Sequence, residues 1–321
     1  MIKTIHYLKY VIRRLLKVIP MVIGITFLTA FLVHISSDDP TTMHFHDAGV
    51  PATQQMLDDF RQQHHLDQPF LQQYFIWGKD FIHGDFGVSY QDNQPVLQKI
   101  QTAAPYTVSI AINSMLLTLI VSIPIGIVSA YRKDSRFTKV INGIIQVGIA
   151  LPSFIVGLAI LYIFTSVFHV FAVLPKNPAT GVIMPSLTIA LVMSFRYIKQ
   201  IQKITEDELQ QKYIKGLRSR GISTISILTH TVLRNIMIEI ITLTALSFGS
   251  LLGGVALVET VFNWPGLGKL LVDAVIVKDL PLLQAIVVIL VIFYVLIHFV
   301  ADILYGICNP KIRILGDEHE A

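Results

Sequence analysis

The stretch from Lys203 to Asn235, KITEDELQQKYIKGLRSRGISTISILTHTVLRN, decides how this chain is interpreted. It is polar and basic, and it lies between two apolar runs that are each long enough to cross a membrane. A positive, helix-patterned loop of this length indicates a contact with something in the cytoplasm. It favours a partner-driven transporter subunit over a self-contained channel or a membrane enzyme.

Composition indicates a membrane protein. Hydrophobic residues make up 53% of the chain and charged residues only 14%, whereas a soluble domain carries about 25% charged residues. Most of the surface should therefore face lipid. Because the chain has one cysteine, Cys308, it cannot build an internal disulfide framework.

Six apolar runs meet the length of about 17–25 residues that a membrane-spanning helix needs. Pro124, Pro152 and Pro185 lie in or at the edges of these runs. Neighbouring helices of a packed bundle can satisfy the carbonyls that such prolines release. The sequence therefore predicts an all-α integral membrane protein with six transmembrane helices, at residues 15–35, 108–130, 140–164, 182–198, 238–258 and 282–307.

The distribution of positive charge sets the predicted orientation. Nineteen of the 25 lysines and arginines fall in the two tails and in the loops after spans 2 and 4, which share one side of the membrane. Because positive charge stays on the cytoplasmic side, both termini should face the cytoplasm. The first run, at 21 residues, is too long for a signal-peptide core and precedes a poor cleavage site, so it is interpreted as a retained span.

These spans divide the chain into four parts. They are an N-terminal tail with span 1 (1–35), an extracellular helical segment (36–107), a transmembrane core (108–307) that contains the cytoplasmic loop 199–235, and a cytoplasmic tail (308–321).

The extracellular segment 36–107 is rich in Asp, Gln and His. Helical periodicity predicts helices over 52–65 and 69–83, the second capped by Asp67. The glycines in Gly84-Asp85-Phe86-Gly87 indicate a turn. His44 and His46 are weak metal-ligand candidates, but no second His/Cys pair stands at a structural metal spacing. A solvated polar loop is the favoured interpretation of these two histidines.

Capping patterns predict the structure of the cytoplasmic loop. Thr205 with Glu208 forms a capping-box pattern, which predicts a helix over 206–220. Gly221 is a natural left-handed terminator, and Ser223 can cap a second short helix that runs to about residue 235. A glycine inside the first helix, Gly216, usually permits close approach of another backbone. The pattern alone leaves docking on anionic lipid and docking on a protein equally open.

The loop resembles the coupling loop of permease subunits of binding-protein-dependent ABC importers, in particular the dipeptide/oligopeptide/nickel class. That loop typically reads as Tyr-Val-Arg-Thr-Ala-Arg-Ala-Lys-Gly followed by a leucine, and residues 213–222 match it. The residues that agree in identity are Tyr213, Arg218 and Gly221; those that keep the charge are Lys215 and Arg220; those that depart are Gly216, where Thr or Ala is usual, and Leu217, where Ala is usual.

The resemblance continues along about 250 residues. Gly84-Asp85-Phe86-Gly87-Val88-Ser89 resembles the outer-loop signature of the family, and Leu151-Pro152-Ser153-Phe154 resembles its third span. The strongest match is VETVFNWPGLG at 258–268. Asp302 and residues 309–313 resemble the usual C-terminal ending.

The resemblance implies a multi-pass subunit of a bacterial cell membrane. Such a permease pairs with a second homologous permease, and each docks a short coupling helix on a cytoplasmic ATPase subunit. An extracellular solute-binding protein delivers the substrate, which is a di- or oligopeptide, nickel or a metal–chelator complex. The chain itself would bind no cofactor, because its partner subunits use the ATP.

Other residues are candidates for packing and gating. The small residues Gly249, Gly253 and Gly254 in span 5 form a helix-packing pattern. In span 6, His298 and Asp302 share one face, for which a structural role is favoured over a proton relay. Five residues at the outer end of span 5 are candidates for an outer gate or turn: Glu259, Trp264, Pro265, Gly266 and Gly268.

Two other functions were weighed. An ion-coupled secondary transporter would show inverted repeats and charged residues near the bilayer midplane, and neither is clear. A membrane-embedded enzyme would need a nucleophile or metal constellation, but the chain has no HExxH, GxSxG or CxxC motif. Nor is there a P-loop, so hydrolysis of ATP by this chain is not expected.

Overall fold

The computed structural model describes residues 19–35, 39–47, 51–172 and 177–308, apart from the side chains of 46, 47, 250, 252, 253 and 301–308. The start of span 1, the tail beyond residue 308, and the side chains of His46, Gly253 and Asp302 therefore lie outside the described part. The described chain is almost entirely helical. Its α-helices are α1 (Ile19–His34), α2 (Pro40–Asp47), α3 (Gln54–Gln63), α4 (Phe70–Ile82), α5 (Val96–Tyr131), α6 (Arg136–Ala150), α7 (Ser153–Tyr162), α8 (Pro178–Gly181), α9 (Ile183–Leu209), α10 (Lys212–Ser219), α11 (Thr224–Ser226), α12 (Leu233–Val261), α13 (Leu267–Ile276) and α14 (Leu280–Cys308).

Four stretches of the described residues are long and apolar enough to cross a membrane: Val96–Tyr131, Pro178–Leu209, Thr224–Gly249 and Leu280–Val300. A fifth is possible if α6 and the helix that follows it form one broken span, and α1 is a shorter apolar helix. The all-α membrane class is confirmed. The count of six spans and the orientation of the termini stay predictions.

The third predicted span, 140–164, is not a straight helix. It divides into Arg136–Ala150 and Ser153–Val167, which are bent by 106°. Leu151 is extended because the residue before a proline avoids the helical region. Pro152 lacks the N–H that would continue the hydrogen bonding of α6. Pro152 lies within the predicted span, and the structure shows that the helix breaks there.

The helices of the second and fourth predicted spans are longer than their apolar runs. Helix α5 begins at Val96, twelve residues before the predicted start at 108. Helix α9 continues to Leu209, well beyond the predicted end at residue 198. Residues 227–232 form a π-helix that leads directly into α12. Hydropathy found the apolar parts of these helices and missed their polar extensions.

The described residues of segment 36–107 include a helix, α2, that was not predicted. Helices α3 and α4 confirm the predictions for 52–65 and 69–83, and Thr53 caps α3. Asp67 does not cap α4, because Pro69 stands at the N-cap and no side chain caps that helix. Helix α2 was not predicted, since its sequence PTTMHFHD has no apolar periodicity.

The chain divides into two compact units. The first comprises residues 1–105 and 265–295, and the second comprises 106–264 and 296–321. The core of the first unit joins α5, α13 and α14 through Val96, Ile100, Ala103, Leu267, Ala274, Leu282, Leu283, Ala285 and Ile286.

The core of the second unit is larger and joins α5, α7, α9, α10 and α12. Its largest fully buried side chains are Ile110, Met184, Ile201, Ile214, Ile227, Ile236 and Ile240. One position in this unit tests how tightly its helices pack. A Cβ atom on Gly148 of α6 would lie 2.3 Å from the Phe195 ring of α9, far inside van der Waals contact.

We predict that Gly148→Ala lowers the free energy of unfolding in detergent by about 1–3 kcal/mol, because the Phe195 ring must move to admit the methyl group. Gly143→Ala is a matched control in the same helix, since no described atom lies within 4 Å of its Cβ. That control should leave stability unchanged or raise it by up to about 1 kcal/mol. Equal effects of the two substitutions would contradict the tight α6–α9 contact.

Candidate functional site

The candidate coupling site begins with a break in the chain after α9. Gln210 ends α9, and Gln211 is extended, with φ −61° and ψ 143°, so that a new helix starts at Lys212. Thr205 is buried inside α9. The predicted capping box at Thr205 and Glu208 is therefore wrong: α10 runs from Lys212 to Ser219, and Gln211 provides no side-chain cap.

Three side chains form a polar clasp around this break. The Tyr213 hydroxyl donates to the Glu208 carboxylate. The Asn235 amide donates both to Glu208 Oε1, at 2.7 Å, and to Tyr213 Oη, at 2.8 Å. The clasp thus ties the end of α9 and the start of α10 to the first turn of α12.

Tyr213 is suited to this donor role over the whole physiological range of pH. Burial, followed by the hydrogen bond to Glu208, raises its pKa to about 12. The phenol therefore stays protonated and keeps donating to the carboxylate.

Helix α10 is amphipathic, and one of its sides packs against the core of the second unit. Ile214 is fully buried and Leu217 packs against the core of the second unit. The remaining predicted coupling residues are exposed: Tyr213 in part, Lys215, Gly216, Arg218, Arg220 and Gly221. No described atom lies within 4 Å of a Cβ built on Gly216. Any close approach at Gly216 must therefore come from outside the described chain.

The end of α10 has the hydrogen-bond pattern of a Schellman motif. Gly221 adopts φ +79°. Its N–H donates to the Arg218 carbonyl at 3.0 Å, and the Ile222 N–H donates to the Leu217 carbonyl at 3.3 Å. These contacts confirm Gly221 as the left-handed terminator.

The chain after Gly221 leads directly into the next long apolar helix. Ser223 caps the next helix, as predicted, by accepting a hydrogen bond from the Ser226 N–H. The second short helix does not end near residue 235, because α11 continues through the π-helix into α12. The coupling segment is thus one short helix between two long ones.

The basic side chains give the exposed side of α10 a positive charge. Lys215, Arg218 and Arg220 are exposed, and no described carboxylate forms an ion pair with them. This arrangement can bind an acidic or carbonyl-rich surface.

The predicted outer turn brings two of its residues together in the second unit. Glu259 is fully buried, and its carboxylate accepts a hydrogen bond from the Thr107 hydroxyl at 2.7 Å. The backbone N–H of Trp264 donates to the Glu259 carbonyl, and its indole N–H donates to the Tyr106 carbonyl at 3.1 Å. The rings of Trp264 and Tyr106 meet edge to face, with their centroids 5.3 Å apart.

The other three outer-turn residues belong to the first unit. Gly266 is the extended N-cap of α13, Gly268 is buried within that helix, and Pro265 is exposed. A gating role for these positions stays a prediction.

The two predicted helix-packing glycines that the structure describes in full differ in burial. Gly249 is buried in α12. Gly254 is exposed, with no described atom within 4 Å of its Cβ. Their role as an interface with a second permease stays a prediction.

The candidate metal ligands and the span 6 pair are only partly described. The His44 ring stacks on Phe60 with centroids 4.7 Å apart. No group of three His, Cys, Asp or Glu side chains in the described part of the chain could hold a metal ion. His298 is half-buried in α14.

One polar cluster in the first unit was not anticipated. The Ser89 hydroxyl donates to Asp279, which caps α14, and Lys99 reaches both Ser89 Oγ, at 3.0 Å, and Asp92, at 2.8 Å. Gly87 adopts φ +72° to bring the chain there. The Gly84–Ser89 motif was recognised in the sequence, but its partner stands 190 positions away, so no local pattern could find it.

Known proteins are similar to this chain in sequence. A model for the binding-protein-dependent transport system inner membrane component matches residues 122–314, and one for the N-terminal part of the same kind of membrane component matches residues 7–111. Glutathione transport system permease proteins GsiC of Escherichia coli strain K12 and of Shigella dysenteriae serotype 1 are each 33% identical over 306 residues. Those matches cover 95% of this chain and 99% of each relative.

The fold also has a solved counterpart. A structure titled as an inward-facing conformation of the MetNI methionine ABC transporter matches with a TM-score of 0.58 and 15% sequence identity, over 67% of this chain and 99% of that chain. At this identity the likeness concerns the fold alone. The family models and the 33% identity to these permeases show that the chain belongs to the inner membrane permease components of binding-protein-dependent ABC importers.

Proposed function

We propose that this permease forms part of the translocation pathway of an ATP-driven importer for small peptides. The observation that carries the substrate class is the 33% identity, across 95% of the chain, to permeases named for glutathione transport. Glutathione is itself a short peptide, so this relative favours the peptide branch of the substrates considered above. ATP would be bound and hydrolysed by separate subunits.

Helix α10 is proposed to dock on one of those ATPase subunits. Its buried side, through Ile214 and Leu217, is already fixed to the permease core. Its exposed side presents positive charge around the open surface at Gly216. A second homologous permease and an extracellular solute-binding protein complete the proposed assembly. This arrangement, with the family membership, favours ATP-driven import over ion-coupled transport.

Nickel or a metal complex is the second candidate substrate. The histidines of segment 36–107 favour it, since a neutral imidazole is a good ligand for nickel. Burial lowers the pKa of His64, which keeps that ring neutral. The ring of His44, however, is stacked on Phe60.

Uptake by intact cells distinguishes the two substrates. Cells lacking this permease and cells complemented with it would be compared for uptake of labelled glutathione and small peptides, and for nickel accumulation in metal-poor medium. We expect peptide uptake to fall on deletion, to return on complementation and to cease when cellular ATP is depleted. If deletion instead lowers nickel accumulation, complementation restores it and peptide uptake is unchanged, nickel would be the substrate. If neither uptake changes, both proposed substrates would be rejected.

A further inference from the structure

Helix α4 packs along the apolar helix α1. The Phe70 ring lies 5.4 Å from Phe27 and 5.8 Å from Phe31, centroid to centroid. The Tyr74 ring meets Phe27 at 5.4 Å. Its hydroxyl contacts Thr26 Oγ1 at 2.8 Å and donates to the Ile23 carbonyl at 3.1 Å.

These contacts place α4 well along the length of α1. From His34, at the end of α1, back to Ile23 is eleven positions, or about 16 Å at 1.5 Å per residue. Residues 19–34 contain no charged side chain. Ile23, Leu28 and Leu32 expose more than half of their surface, so α1 needs an apolar environment.

A second apolar surface lies on α4 itself. Leu71, Phe75 and Ile82 are 56%, 71% and 83% exposed. At 100° per residue they fall within about 40° of one another, so they form one stripe along the helix. On the same wheel Asp80 lies about 180° from Leu71 and is exposed. The stripe and the polar side of α4 are therefore separate surfaces.

We propose that α4 lies in the bilayer beside α1, with the stripe of Leu71, Phe75 and Ile82 in contact with lipid acyl chains. Phe27 and Phe31 of α1 are themselves partly exposed, and they contact Phe70 and Tyr74, which flank Leu71 and Phe75 in the sequence. On the helical wheel Tyr74 lies about 60° from Leu71, so the apolar surface of α1 leads through the ring of Tyr74 to the stripe on α4. A surface continuous with an uncharged membrane helix has hydrocarbon as its natural solvent.

Other features of α4 suit the membrane interface. Tyr74 and Trp77 are residue types enriched at that boundary. Lys79 is exposed beside the stripe, about 80° from Leu71, and its long stem can carry the ammonium group to the headgroups. At 13 residues, α4 is too short to span a bilayer, so it would lie at one side of the membrane.

Site-directed spin labelling tests this position. In a background with Cys308→Ser and no other cysteine in the complex, single variants Phe75→Cys, Leu71→Cys and Ile82→Cys would carry a nitroxide. Leu32→Cys on α1 gives the lipid reference, and Asp80→Cys gives a matched control on the opposite side of α4. The assembled transporter would be reconstituted in lipid vesicles. Power saturation would then compare accessibility to oxygen, which enters lipid, and to a water-soluble nickel chelate, which does not.

We expect the ratio of oxygen to nickel-chelate accessibility to be several-fold higher at the three stripe positions than at Asp80, and close to the ratio at Leu32. Chelate accessibility at the stripe equal to that at Asp80 would overturn the proposal in favour of a solvated helix. Low accessibility to both reagents would overturn it in favour of a protein partner on the stripe. A ratio at Asp80 as high as at the stripe would contradict the proposed orientation.

Discussion

Replacing Gly216 by glutamate should abolish transport while leaving the amount of inserted permease unchanged. Gly216 lies on the exposed side of α10, and a Cβ there would meet no described atom beyond its own turn of helix, so the permease itself can accommodate an outward-pointing side chain. If an ATPase subunit docks on this side, the glutamate occupies the contact and opposes the positive charge of Lys215, Arg218 and Arg220. Substrate uptake and co-purification of the ATPase with the permease would measure the effect.

Gly216→Ala is the control for this substitution. A methyl group fits the open space, and alanine is favoured over glycine inside a helix by about 1 kcal/mol. The resemblance to related coupling loops, where alanine or threonine is usual at this position, also implies that docking tolerates it. Normal transport and normal ATPase retention by the Gly216→Glu variant would show that α10 does not dock through this side.

Replacing Trp264 by alanine should lower the free energy of unfolding by about 3–5 kcal/mol, the range for removing a large buried aromatic side chain. Trp264 is 5% exposed and links the end of α12 to α5 through its indole N–H and its ring contact with Tyr106. Its removal would leave a cavity and would remove the hydrogen bond from the indole to the Tyr106 carbonyl. Denaturation of the purified permease in detergent would measure the change.

A second variant separates packing from hydrogen bonding at this position. Trp264→Phe keeps most of the aromatic contact with Tyr106 but loses the indole donor, so a loss of about 1 kcal/mol is expected. A cost for Trp264→Ala no larger than that for Trp264→Phe would contradict the packing role of the indole ring. It would also contradict a role for the Trp264 contacts in holding the end of α12 against α5.

Local patterns predicted some elements well because their causes are local. The terminator Gly221 needs only a residue that tolerates positive φ after a helix, and Ser223 needs only a neighbouring N–H to cap. Helices α3 and α4 show their period directly in the sequence. Such features depend on residues within a few positions of one another.

The capping box failed because a cap pattern does not by itself stop a helix. Between Pro185 and Gly216 the sequence contains neither proline nor glycine. Extending an existing helix is far easier than nucleating a new one, so α9 continues through Thr205 until Gln210. The pattern of Thr205 and Glu208 then lies inside a helix, where Glu208 serves the clasp with Tyr213 and Asn235.

The remaining gaps have two physical sources. Polar helices such as α2 and the first turns of α5 give no hydropathy signal, because tertiary contacts rather than composition stabilise them. Contacts between distant positions, such as Ser89 with Asp279 or Glu259 with Thr107, have no local pattern at all. Sequence reasoning could name Glu259 and the Gly84–Ser89 motif, but not what each touches.

The contact between Ser89 and Asp279 cannot form until the ribosome has synthesised the chain as far as residue 279. The first unit needs residues 265–295 to complete its core, yet Val96 and Ile100 of that core are synthesised long before Leu283 and Ile286. Until the ribosome has added the intervening residues, this part of the nascent permease lacks the apolar contacts that Leu283 and Ile286 provide. Translation arrested before residue 280 should therefore yield a product in which residues 84–100 are sensitive to protease, even though the earlier spans have already been inserted.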